Sequence, residues 1–242
     1  MTDAAEILET NINIQSKSPL VNKIYVNSGN PELIRLLSRN LGKILDIGCG
    51  AGDNANLISN SSNSEVYGVT YSAAEAEIAR SRMKKCWVFD IQSDFPADLN
   101  DLKFDCLIFS HVLEHLQDPS AVLARFSRLL HSGGQVLIAV PNVLSWRMRI
   151  NFLKGNFKYE KEGVLDDTHL RFFTYFTADQ YLLAKAKDLN VISKTASGSV
   201  PLWLFRRYLF PPSWCHKIDE WGCRNWPNLF GGQILISAVK KS

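Results

Sequence analysis

The chain predicts an α/β protein, a doubly wound and mostly parallel sheet with helices on both faces, and three observations point there. The run Ile44-Leu45-Asp46-Ile47-Gly48-Cys49-Gly50-Ala51-Gly52-Asp53 reads as a buried strand entering a glycine-rich turn. Apolar strand-like runs then alternate with helix-like runs, the pattern of a parallel sheet built from crossovers. Asp46, Gly48, Thr70, Asp90 and Ser110 fall at the carboxyl ends of the expected strands, where open α/β sheets hold their ligands.

Each element has a local reason. Pro31 suits the first position of a short helix. Strand one is followed by a helix over Asn54–Asn60, then by a second strand, Ser64–Thr70, with its helix over Ala73–Met83. Cys86–Asp90 is a third strand ending in an acid, and Phe104–Ser110 is a fourth. Pro119–Leu130 is a helix leading to strand five, Gly134–Pro141. Asn142–Tyr175 is a long insertion; apolar residues spaced at three and four over Leu144–Leu153 predict an amphipathic helix there. A helix starting near Thr177, strand six over Asn190–Thr195 and strand seven over Gly232–Val239 complete a seven-stranded sheet.

Length and composition set mild bounds. The 242 residues, 46% of them hydrophobic, suit one elaborated domain with an ample core. Within it we expect an N-terminal arm and helix (1–40), a ligand-binding core (41–141), a lid (142–176) after strand five, and an aromatic cap (197–231) after strand six. A net charge of +3, without an arginine-rich stripe, argues against nucleic acid as a partner. The five cysteines lack metal-knuckle spacing and fit reduced thiols in a cytoplasm. No stretch approaches transmembrane length, so no stable membrane insertion is expected.

Glycines at the first turn permit positive φ and let a ligand approach bare backbone, which suggests a small adenosine-bearing molecule. A nicotinamide-binding dehydrogenase is the natural competitor, but its turn reads G-x-G-x-x-G, whereas here G-C-G-A-G is followed by Asp53 and Asn54.

With Leu45–Gly52, the run Phe104–Ile108, Ser110-His111-Val112-Leu113-Glu114-His115-Leu116-Gln117-Asp118-Pro119 and Leu130–Leu137, the chain resembles the class I S-adenosylmethionine-dependent methyltransferases. Within that family it is similar to the branch of ubiquinone-pathway O-methyltransferases. The string Thr168-His169-Leu170-Arg171-Phe172 resembles bacterial glycan and cell-envelope methyltransferases. The resemblance implies a Rossmann-like sheet, S-adenosylmethionine as cofactor and S-adenosylhomocysteine as product. It also implies roles: Asp46 reaches the methionine ammonium, Gly48, Cys49 and Gly50 lie against the cofactor, and Asp90 with the Ile91 backbone meets the adenine amine. Ser110 and His111 border the methionine and sulfonium end, and Tyr25 on the N-terminal arm folds over the cofactor.

One position departs from the pattern. Many members end strand two with an acid that takes both ribose hydroxyls, and Thr70 stands there instead, with Tyr71 beside it as a candidate to stack on adenine. For a hydroxyl acceptor, His169 is the expected base and His115 the second candidate. His111, Glu114 and His115 form an H-x-x-E-H cluster able to hold a divalent cation, but we expect Glu114 and His115 to orient a helix start, with no metal.

The leading function is methyl transfer to a hydroxyl of a small molecule, a sugar or a lipid-linked glycan. An N-methyltransferase of a small molecule or peptide end would need no comparable base. A non-catalytic binding module is disfavoured by the intact turn with Asp46 and Asp90.

Overall fold

The computed structural model describes residues 28–39 and 41–241. Its seven strands are β1 (Lys43–Ile47), β2 (Glu65–Thr70), β3 (Lys85–Val88), β4 (Phe104–Ser110), β5 (Leu130–Pro141), β6 (Leu189–Gly198) and β7 (Gly231–Lys240). They lie in the order β3-β2-β1-β4-β5-β7-β6, with β7 antiparallel to both neighbours and the other pairs parallel. This is the predicted doubly wound, mostly parallel sheet.

Because β1 and β4 are covered on both faces, they read as nearly unbroken apolar runs, and their side chains divide by period two. Leu45, Ile47, Leu107 and Phe109 point into one core, and Ile44, Cys106 and Ile108 into the other. The first core is closed by Leu99 of α4 (Ala97–Asn100), by Val122, Leu123 and Phe126 of α5 (Pro119–Phe126), and by Leu182 of α7 (Ala178–Leu182). The second is closed by α1 (Pro31–Ile34), α2 (Asp53–Ser59) and α3 (Ala73–Ala79). Proline at the first helical position starts both α1 and α5, and Asn30 and Asp118 cap them through side-chain oxygens.

Several boundaries differ from the sequence reading for local reasons. α3 stops at Ala79 rather than Met83, in a turn that carries Met83 against Gly68. α5 ends at Phe126, and the chain passes through a 3-10 turn into β5 at Leu130, four residues earlier than the glycine pair suggested. There Leu130 pairs with Phe104, and an irregularity at Gly133, φ 76°, restores register at Gln135. β3 ends at Val88, which leaves Asp90 in a loop.

In the lid, α6 (Trp146–Leu153) is the expected amphipathic helix, starting at Trp146, after Ser145 as N-cap, rather than at Leu144. The aromatic segment forms α8 (Trp203–Leu209), α9 (Pro212–Asn225) and α10 (Pro227–Phe230). These helices pack on β6 and on one another, at the edge of the sheet. They form a layer at that edge. Arg206 inside it is buried and donates to Asp219 and to the carbonyls of Val200 and Cys215, so its charge organises the layer.

Phe126 stacks edge-on with Phe95 and Phe109, at 4.7 and 5.8 Å between ring centroids. Phe126→Ala should destabilise the fold by about 3–5 kcal/mol, read as a lowered urea midpoint. An unchanged midpoint would contradict the packing of α5 on the sheet.

Candidate functional site

The glycine turn folds back over β2, and the N–H groups of Gly48 and Cys49 both donate to the Val69 carbonyl, at 2.8 and 2.9 Å. Gly48 and Gly50 have φ of 75° and 52°, in the left-handed region that glycine enters without strain. A Cβ on Gly48 would also meet Val112 at 2.8 Å. Close approach of the chain after β4 thus requires that glycine. The Cys49 side chain turns away from the turn's open side, to 3.7 Å from Cys86 Sγ, so only its backbone is placed to line a ligand.

Asp46 sits beneath the turn, fully buried. Its Oδ2 accepts from Asn54 Nδ2 at 3.2 Å, while its Oδ1 has no hydrogen-bond partner. Burial, eased only partly by Asn54, pushes its carboxyl up to about 7. An orphaned acceptor beside a glycine cradle fits a ligand that brings a cationic donor.

Thr70 does not present a free hydroxyl to a ribose. Its Oγ1 donates to Glu75 Oε2 at 2.8 Å and accepts from the Ser72 N–H at 3.3 Å. A carboxylate does stand nearby: Glu75 in the first turn of α3 has its Oε1 3.7 Å from where a Cβ on Gly50 would lie. Sequence reasoning missed Glu75 because Ser72-x-x-Glu75 is also an ordinary helix-start pattern. Tyr71 is half-exposed next to it. Asp90 is exposed, its Oδ1 held by the Gln92 N–H at 2.8 Å, and the carbonyl of buried Ile91 is gripped by Arg125. Tyr25 lies outside the described residues.

On the far side of Val112, His111 has φ 54°, an unfavourable conformation for a residue with a Cβ, held by its N–H to the Ala139 carbonyl at 3.0 Å. Gln233 Oε1 takes His111 Nε2–H at 2.9 Å and Asn30 Nδ2 at 2.9 Å. Asn30 also reaches Ser110 Oγ at 3.5 Å, and its N–H donates to Asn54 Oδ1 at 2.9 Å. A chain of polar contacts thus runs from Asp46 through Asn54, Asn30 and Gln233 to His111. Asn30 and Gln233, far apart in sequence, carried no signal of this.

The lid brings the two candidate bases together. Glu114 is buried, and its carbonyl accepts the N–H groups of Leu170 and Arg171, both at 2.9 Å. This places His169 beside His115, ring centroids 4.7 Å apart. His169 Nδ1 donates to the Val164 carbonyl at 3.0 Å, which leaves Nε2 facing Glu114 Oε1 at 4.0 Å. His115 Nδ1 donates to Thr168 Oγ1 at 2.9 Å, and Thr168 in turn donates to Asp166 at 2.6 Å. Burial and the neighbouring His169 outweigh Glu114 and hold His115 below the ordinary histidine range. Burial works the same way on His111, but Glu114, with Nδ1 3.3 Å from Oε1, and Gln233 overcome it and hold His111 above that range.

The methyltransferase domain family matches residues 25–194. The chain belongs to this family. It is a class I S-adenosylmethionine-dependent methyltransferase, as its motifs imply. A probable S-adenosylmethionine-dependent methyltransferase of Mycolicibacterium smegmatis is 32% identical over 124 residues, 50% of this chain and 44% of that protein. The ubiquinone biosynthesis O-methyltransferase of Alkalilimnicola ehrlichii is 31% identical over 104 residues, 41% of this chain and 42% of that one. The matched regions thus span under half the length of these relatives. The fold is shared with a SAM-dependent methyltransferase of Archaeoglobus fulgidus, with a TM-score of 0.54, 22% identity, and 88% and 95% of the two chains covered. No helix among the described residues of the methyltransferase is long and apolar enough to cross a membrane.

The Thr70–Glu75 contact reverses what the strand-two departure suggested. Thr70→Asp would set two buried carboxylates against each other and should cost roughly 2 kcal/mol, about 6 °C in Tm for a chain of this size. Thr70→Ser should be nearly neutral. Thermal denaturation of both variants checks this, and a Thr70→Asp protein as stable as the parent would refute the contact.

Proposed function

We propose that the protein transfers a methyl group from S-adenosylmethionine to a hydroxyl of a small-molecule, sugar or lipid-linked glycan acceptor. The observation that carries this reading is a histidine and carboxylate cluster on the turn after β4, the same turn whose Val112 packs against Gly48. In this reading Asp46 takes the methionine ammonium, Glu75 the ribose diol and Asp90 the adenine amine, with Gly48, Gly50 and the Cys49 backbone along the ligand. Ser110 and His111 border its sulfonium end, and Tyr71 lies against adenine. When bound, S-adenosylmethionine supplies an electrophilic methyl group.

The chain's own residues do the rest. The lid clamped to Glu114 keeps water from the reacting centre and orients the acceptor, which matters because a direct substitution depends on alignment. A hydroxyl is a poor nucleophile until its proton is drawn off, and His169 and His115 have nitrogens fixed for that by Val164 and Thr168. An amine acceptor would need no such cluster, which favours oxygen over nitrogen. The 31% identical ubiquinone biosynthesis O-methyltransferase supports the same preference. Cytoplasmic operation on a soluble or membrane-borne acceptor is part of the proposal.

The Asp46 assignment makes affinity depend on pH. Only ionised Asp46 attracts the ammonium, and with its carboxyl at about 7 the group is mostly protonated below that pH. Affinity for S-adenosylhomocysteine should therefore rise from pH 6 towards pH 8, by up to about tenfold per unit below the midpoint, with proton uptake by buffer seen in calorimetry. Asp46→Asn should bind weakly at every pH. A flat profile in the parent protein would remove Asp46 from the ammonium site.

For the acceptor side, His169→Ala should lower single-turnover rates by at least about a hundredfold while leaving S-adenosylhomocysteine affinity nearly unchanged. Loss of cofactor affinity together with thermal stability, with chemistry intact, would assign His169 to holding the lid.

A further inference from the structure

Glu114 poses a problem of charge that the fold alone does not solve. The residue is 1% exposed, and neither of its carboxylate oxygens has a hydrogen-bond partner. Leaving such a group unsatisfied is expensive, so a native fold retains one only where something else completes it. His111 Nδ1 comes to 3.3 Å of Oε1, out of line for a hydrogen bond, and its own ring is exposed.

The two histidines on the other side make the arrangement more specific. The Val164 carbonyl can only accept, so His169 carries its proton on Nδ1. The Thr168 hydroxyl gives its hydrogen to Asp166 and therefore accepts from His115 Nδ1. In both rings a lid residue holds Nδ1, so in the neutral form each ring keeps its proton there and presents the Nε2 lone pair. A carbonyl or hydroxyl holding the far nitrogen is how metal-ligating histidines are oriented. One donor atom from each of Glu114, His115 and His169 lies within 4.8 Å of the others.

The geometry points to a divalent transition-metal site formed by Glu114, His115 and His169. Donors at about 2.0–2.2 Å from one ion lie roughly 3–4 Å apart, so closure needs shifts of about 1 Å. One carboxylate and two imidazoles favour Zn²⁺ or Mn²⁺ over Mg²⁺ or Ca²⁺, which prefer all-oxygen sets. Three protein ligands leave further positions open to other donors. Resting on the proposed O-methyl transfer, the ion would take the Nε2 lone pairs of both histidines in place of their part as bases, and would hold the acceptor oxygen and lower the pKa of its hydroxyl so that the proton is lost to solvent as the acceptor binds. This departs from the expectation that Glu114 and His115 only orient a helix start. Spacing within one turn could not reveal His169, 54 residues beyond His115, as the third ligand.

The test is calorimetric titration of the full, chelator-stripped protein with Zn²⁺, Mn²⁺ and Mg²⁺, together with visible absorption after Co²⁺ loading. The parent protein should bind one Zn²⁺ or Mn²⁺, bind Mg²⁺ at least tenfold more weakly, and give d–d bands with Co²⁺. Glu114→Gln and His169→Gln should each weaken Zn²⁺ binding by a hundredfold or more and lose the Tm rise that Zn²⁺ gives the parent. Far-UV circular dichroism confirms that they are folded, and His115→Gln serves if either is not. Absence of stoichiometric binding, or equal binding by parent and variants, overturns the site. S-adenosylhomocysteine titrated into the same stripped protein keeps the two readings apart: binding there with no metal uptake defeats only the metal site, whereas failure to bind the nucleoside defeats the methyltransferase reading.

Discussion

The lid side of this molecule depends on one short turn after β4. Glu114 uses its backbone carbonyl to receive Leu170 and Arg171, and through them the whole lid is docked. Arg171 strengthens the same contact by donating to the Gln117 carbonyl. The same residue sends its carboxylate inward, among three histidines. Backbone and side chain therefore couple the position of the lid to the chemistry beneath it. A lid displaced from this turn would carry away His169 and also Thr168, which holds the His115 ring.

The glycine-turn side is organised by a second buried acid. Asp46 lies under the glycine turn and connects through Asn54, Asn30 and Gln233 to His111. Neutral amides are well suited to such a chain because each can accept and donate at once, so polarity crosses the site without burying further charge. The left-handed backbone at His111 fits this picture. A strained residue with a Cβ persists where its surroundings fix it from several directions, and here Ala139, Gln233 and Glu114 all do so.

The aromatic segment beyond β6 plays a different part from the lid. Its helices cover the sheet edge, which would otherwise expose unpaired backbone. Buried Cys215, Gly222 and Cys223 face inward on α9, while Trp214 and Trp221 stay half-exposed on its outer side. Trp214, Lys217, Ile218 and Trp221 line an open depression of about 380 Å³.

By itself the sequence determined the sheet, its five parallel core strands, the glycine turn and the acids Asp46 and Asp90, because these rest on local patterns: apolar runs alternating with helix-like runs, glycine at positive φ, proline at helix starts. It also marked His115 and His169 as chemically loaded. Only the tertiary structure decided which groups meet. Glu75 answers for Thr70 across a helix start, Asn30 and Gln233 join Asp46 to His111 across more than 200 residues, and His169 reaches Glu114 through a lid. Such contacts arise from where crossovers and loops return to the sheet. Side-chain periodicity is fixed over a few residues, while the return of a long loop is fixed by packing against the finished core.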